Sequence, residues 1–129
     1  MEVPKDRDVF ESEIATLWLD DDGILVSLSK SPTRTVENIG KNVELIKQIT
    51  HNQKVGVLVY LTKSKKPSKE TRDFVKLKLP EIYKAMAIIS SSGLGEFVMN
   101  FIFKLSKPSI PMKTFSNEVE AKNWLKQFT

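Results

Sequence analysis

Four short stretches of this chain carry side chains capable of chemistry, and their limits decide much of the reading. His51 is the only histidine and the 129 residues include no cysteine. A zinc site would then need three carboxylates, which zinc seldom uses. A Ser-His-Asp reading would rest on this one imidazole, with no G-x-S-x-G elbow to present a serine. His51 falls near the end of a predicted helix, where a cation suits the helix dipole. Asp20-Asp21-Asp22 lacks the ligand spacing and closing glutamate of a calcium loop, and reads as a charged hairpin turn. No catalytic residue, metal ligand set or cofactor is expected.

Ser68 follows Pro67 at the start of a predicted helix, and its hydroxyl suits the helix cap. A phosphate on Ser68 would meet the helix N-terminus and nearby lysines, which could accommodate its charge. Lys63, Lys65, Lys66, Lys69 and Arg72, with Ser64 among them, form the densest basic stretch. Residues 54–84 hold nine basic and three acidic side chains. The plain reading is a solvated loop and helix face. The functional reading is an anion site for phosphate, an acidic partner or anionic lipid. Specific nucleic-acid binding is not expected, because no stacking aromatics interleave the charge. Ser90, Ser91, Ser92, Gly93, Leu94 and Gly95 resemble a phosphate-cradling turn. They lack the Gly-Lys-Ser/Thr of a Walker loop and the third glycine of a dinucleotide fingerprint. Helix capping is the preferred reading there, with a weak anion site as the alternative.

The surrounding composition fits one globular domain. Net charge is +4, yet residues 1–22 carry eight acids against Lys5 and Arg7, while residues 23–129 carry eighteen basic against eight acidic side chains. The N-terminus has no apolar leader core, and no apolar run approaches the roughly 20 residues needed to span a bilayer. A soluble, cytoplasmic protein is the expectation.

These residues need elements to position them. Residues 1–12 read as an acidic, poorly ordered lead-in, and 13–129 as one domain. Residues 13–19 and 24–29 read as a hairpin around the Asp-Asp-Asp-Gly turn. Thr35 caps a helix with Val36, Ile39, Val43, Ile46 and Ile49 at helical spacing. Gly40 inside that helix implies close packing against a sheet. Residues 55–61 form a continuous apolar, β-branched run, the mark of a central, parallel strand covered on both faces. A helix follows from Ser68 with Phe74, Val75 and Leu79 inward, and Pro80 ends it. Residues 85–89 are a second buried strand. Residues 94–105 form an unusually apolar third helix, with Met99 and Phe103 on a side of their own. Either the helix is sandwiched between the sheet and residues 108–112, or these side chains offer an apolar interface for self-association or a ligand. A short strand near Lys113–Phe115 and a last helix, capped by Ser116 or Asn117, finish the chain. The order is β-β-α-β-α-β-α-β-α: an α/β domain whose mixed sheet has about five strands and about four helices. In such sheets, functional loops lie at the carboxyl ends of parallel strands. Here these are residues 62–68 and 90–93.

The opening hairpin, the 55–61 strand with its polar loop and helix, Gly93-Leu94-Gly95, and Thr114-Phe115 with Glu120-Ala121 and Trp124-Leu125 together resemble a known family. The resemblance is to STAS-like, or SpoIIAA-like, domains, related in fold to bacterial anti-sigma-factor antagonists and CRAL-TRIO lipid carriers. It covers roughly residues 13–128. In the antagonists, a serine opening the helix after the central strand is phosphorylated, and Ser68 is the matching position. The family's preceding aspartate is Pro67 here, and Lys69-Glu70 stand where small residues would follow. The resemblance implies a non-enzymatic regulatory or protein-interaction module, with a protein partner or a second copy as its ligand. The alternative is a small-molecule or lipid-binding domain that uses the apolar third helix.

Overall fold

A computed structural model describes residues 3–30, 33–61, 67–89 and 109–128. Among these residues the sheet has six strands in chain order: β1 (Phe10–Glu11), β2 (Ala15–Leu19), β3 (Leu25–Ser29), β4 (Val55–Tyr60), β5 (Tyr83–Ile89) and β6 (Met112–Phe115). β1–β2 and β2–β3 are antiparallel; β3–β4, β4–β5 and β5–β6 are parallel. Three helices are described: α1 (Val36–Ile49), α2 (Lys69–Ile82) and α3 (Glu118–Leu125), with a 3-10 turn at Lys126–Phe128. The expected third helix, with Met99 and Phe103, lies outside the described residues.

The mixed α/β sheet is as expected, with one strand more. Strand β1 comes from the segment expected to be a poorly ordered lead-in. That segment is instead strapped to the sheet. Arg7 Nη1 donates to the Leu19 carbonyl at 2.9 Å and Nη2 to Asp21 at 2.9 Å. Farther along, Ser12 Oγ donates to Asn42 Oδ1 at 2.7 Å, and Lys30 Nζ meets Glu11 at 2.6 Å. The sequence gives no apolar period over so short a strand, so side chains from distant elements decide its place.

Strand β4 shows why its run is apolar throughout. Val57 and Val59 face α1 and α2, and Leu58 faces α3, all buried. Alternate side chains of a strand point to opposite faces, so a helix layer on each side requires apolar residues at every position. Gly56 on the α3 face admits Leu125: a Cβ there would sit 3.3 Å from Leu125 Cδ2. The glycine inside α1 departs from expectation. Gly40 faces α2 rather than the sheet, and a Cβ there would meet the Phe74 ring at 3.8 Å.

Helix α1 starts where Thr35 Oγ1 accepts from Asn38 N–H at 3.1 Å and Asn38 Oδ1 accepts from Thr35 N–H at 2.8 Å. This reciprocal box satisfies two otherwise unpaired donors. Helix α2 runs two residues beyond Pro80, which does not end it. A proline in a last turn removes one backbone donor while the carbonyls behind it still serve the exit. Tyr83 N–H donates to the Leu79 carbonyl and passes directly into β5. On α3, Asn117 is the cap, its Oδ1 accepting from Glu120 N–H at 2.9 Å. Trp124 and Phe128 stack edge to face, with ring centroids 4.9 Å apart, and pack against the α3-side core.

Candidate functional site

The parallel strands β3, β4 and β5 end toward one pole of the sheet, and α2 begins there. Ser68 is extended (φ −63°, ψ 162°) and exposed at the cap of α2. Its Oγ accepts from Thr71 N–H at 3.2 Å and donates to Thr71 Oγ1 at 3.0 Å. Pro67 ahead of it fixes the entry, because the Arg72 guanidinium donates to the Pro67 carbonyl at 2.9 Å. Lys69, the first helical residue, is exposed and reaches Asp73 Oδ2 at 2.9 Å across one turn. Exposed pairs of this kind are worth well under about 1 kcal/mol, so Lys69 can exchange Asp73 for another anion at little cost. The structure thus joins Ser68, Lys69 and Arg72 at one helix start. Lys63, Ser64, Lys65 and Lys66 lie outside the described residues, as do Ser91, Ser92 and Gly93.

A second charged group, missed from sequence, fastens α3 to the hairpin. Asp20 Oδ1 accepts from Asp22 N–H and Ile24 N–H, both at 2.9 Å, and so builds the turn that Gly23 closes at φ 77°. Its other oxygen lies 3.0 Å from Lys122 Nζ, which also reaches Glu118 Oε1 at 3.1 Å. Burial alone would lower the Lys122 pKa, but the Asp20 and Glu118 carboxylates outweigh it and the net direction is upward. Tyr60, at the end of β4, has its phenol pushed up to about 12, first by burial and then by the Glu118 charge. The triple aspartate announced a turn; nothing in its spacing announced a lysine a hundred residues away.

The pole opposite Ser68 holds the end of α1. Asn52 N–H donates to the Lys47 carbonyl at 2.9 Å and His51 N–H to the Gln48 carbonyl at 3.4 Å. This is the Schellman pattern, usually closed by glycine in the left-handed conformation. Here His51 (φ 55°) and Asn52 (φ 63°) take it instead. His51, expected within the last turn of the helix, therefore lies just beyond it. A groove of about 620 Å³ runs between α1 and α2, lined by Gly40, Leu45, Phe74 and Lys78 among others. Among the described residues no group of histidine, cysteine or carboxylate side chains is arranged to hold a metal ion, and no helix is long and apolar enough to cross a membrane.

This architecture is that of a SpoIIAA-like α/β domain. It is similar to the crystal structure of an uncharacterized protein of the DUF3478 family with a SpoIIAA-like fold, from Shewanella loihica. That likeness has a TM-score of 0.57 at 18% identity, and covers 92% of this chain and 90% of the other. The chain itself belongs to the family described as Domain of unknown function (DUF7793), which it matches over residues 17–129. No curated protein matches it.

Proposed function

We propose that this chain is a non-enzymatic regulatory or protein-interaction module that works in the cytoplasm. Its partner meets the pole where β4 ends and α2 begins. The observation that carries this reading is Ser68, exposed at the cap of α2 with Lys69 and Arg72 beside it, in a SpoIIAA-like fold. A carboxylate or phosphate brought to that pole gains from the helix N-terminus and from both cations. Ser68 itself is the candidate for phosphorylation, which would replace the hydroxyl cap with a charged one and alter what the pole attracts.

Native mass spectrometry of the full chain purified from its own host tests it. A protein partner, or a second copy, retained in stoichiometric amount is the expected result. A bare chain carrying a retained small molecule would instead favour the ligand-binding alternative through residues 94–105. A bare monomer without any adduct would count against both.

A further inference from the structure

Helices α1 and α2 lie side by side on one face of the sheet and run level with each other. Gly40 faces Phe74, and seven residues further along each helix Lys47 Nζ meets Glu81 at 2.9 Å. Their outer surface carries two features that the fold itself does not use. Leu77 is 68% exposed, one turn on from the half-buried Phe74. Gly40 lines the groove of about 620 Å³ between the helices. A glycine weakens a helix interior, and a Cβ here would meet the Phe74 ring only at an ordinary 3.8 Å. The chain's own packing thus leaves room for a side chain that the sequence does not supply. Glycine in that place admits a close approach from outside the chain.

The charge on this surface selects what approaches. Together α1 and α2 carry five acids against six bases, so no partner of a single sign is favoured. The charges are instead ordered. On α1, Glu37 precedes Lys41, 3.3 Å apart; on α2, Lys69 precedes Asp73, 2.9 Å apart. Both pairs are exposed and weak, so each can take a further partner at little cost. With Gly40 level with Phe74, Lys69 and Asp73 each stand two residues, about 3 Å of rise, ahead of Glu37 and Lys41. The two pairs therefore match in height and oppose in sign. Glu70 projects about a quarter turn away from that line. A two-fold axis along the helices lays α1 of one copy on α2 of the other. Glu37 then faces Lys69 and Lys41 faces Asp73, each twice, and Leu77 of each copy enters the groove beside Gly40 of the other.

We infer that this face holds a second copy of the chain in a weak, isologous dimer. It uses the flanks of α1 and α2 rather than their ends. Lys69 belongs to both surfaces, but the purified chain alone tests the dimer, so the outcome is separate from that of the partner proposed for the start of α2.

Sedimentation equilibrium of the purified full chain, from about 5 to 500 µM, is the test. Two helices a side give an area at or below the roughly 1,200 Å² of lasting complexes, and a dissociation constant in the micromolar range is expected. Leu77→Ser should weaken the dimer about tenfold. Lys41→Glu and Asp73→Lys alter exposed positions, so circular dichroism should report a normal fold, and each alone should be monomeric over most of that range. Mixed in equal amounts, these two variants should associate again, because the mixture restores opposite charges at both contacts. A wild type that stays monomeric throughout overturns the inference. So does a dimer as tight in Leu77→Ser, or in both charge variants, as in the wild type, or a mixture no more associated than its two components.

Discussion

Replacing His51 by glycine should make the protein more stable although it removes a whole side chain. The left-handed conformation at φ 55° costs an L-residue roughly 1–2 kcal/mol. Glycine avoids that cost but loses more chain entropy on folding, which returns about 0.5–1 kcal/mol. The imidazole is exposed and makes no hydrogen bond or ion pair among the described residues, so little else is lost. The net expectation is a gain of about 0.5–1 kcal/mol. At about 2 cal/mol/K of unfolding entropy per residue, that gain raises the melting temperature by about 2–4 °C. Urea unfolding followed by tryptophan fluorescence should show a higher midpoint at unchanged slope. His51→Ala keeps a Cβ in the same strained backbone and should show no gain. A glycine variant no more stable than the wild type, or an alanine variant equally stabilised, would refute the reasoning.

Three further predictions follow from the packing. Tyr60 and Tyr83 are the chain's only tyrosines; burial raises both phenols, Tyr60 to about 12. In the folded protein, phenolate absorbance should therefore develop above the ordinary value of 10. Because the unfolded chain releases those protons first, stability should fall as pH rises from about 10 toward 12; ordinary tyrosine titration in the folded state would contradict this. The two sheltered glycines should respond oppositely to alanine in urea melts. Gly40→Ala gains up to about 1 kcal/mol, because its Cβ meets Phe74 at an ordinary 3.8 Å. Gly56→Ala destabilises the fold by about 1–3 kcal/mol, since a Cβ at 3.3 Å must displace the fully buried Leu125. Lys122→Met should cost about 2 kcal/mol by leaving the half-hidden Asp20 carboxylate without its cation, and Asp20→Asn in the same background should recover part of the loss.

The elements most legible in the sequence are those whose local chemistry and packing agree. Strand β4 could be read as central because both of its faces are apolar, and Thr35 and Asn117 mark helix starts through side chains that serve their own backbone. What escaped were decisions made by distant partners. Strand β1 is a strand because Arg7, Ser12 and Lys30 tie its surroundings to elements far along the chain, and two residues carry no period of their own. Gly40 read as a sheet contact because a glycine reports close approach without saying to what. Pro80 read as a stop because its cost depends on how much helix remains. At the candidate site, Ser68 was legible as a cap from the serine cap preference. The Asp20–Lys122 fastening was not, since it joins residues with no relation in spacing.

In the proposed function a protein partner engages the start of α2. It is tested most directly by quantitative capture from host extract on immobilised wild type, Lys69→Glu and Lys54→Glu. An acid at the first turn of α2 suits the helix dipole, so Lys69→Glu should fold normally; Lys54 is exposed just ahead of β4, at the opposite pole. A partner should be held by wild type and Lys54→Glu, and be reduced several-fold on Lys69→Glu. The same proteins held equally by all three, or none held by any, would contradict it.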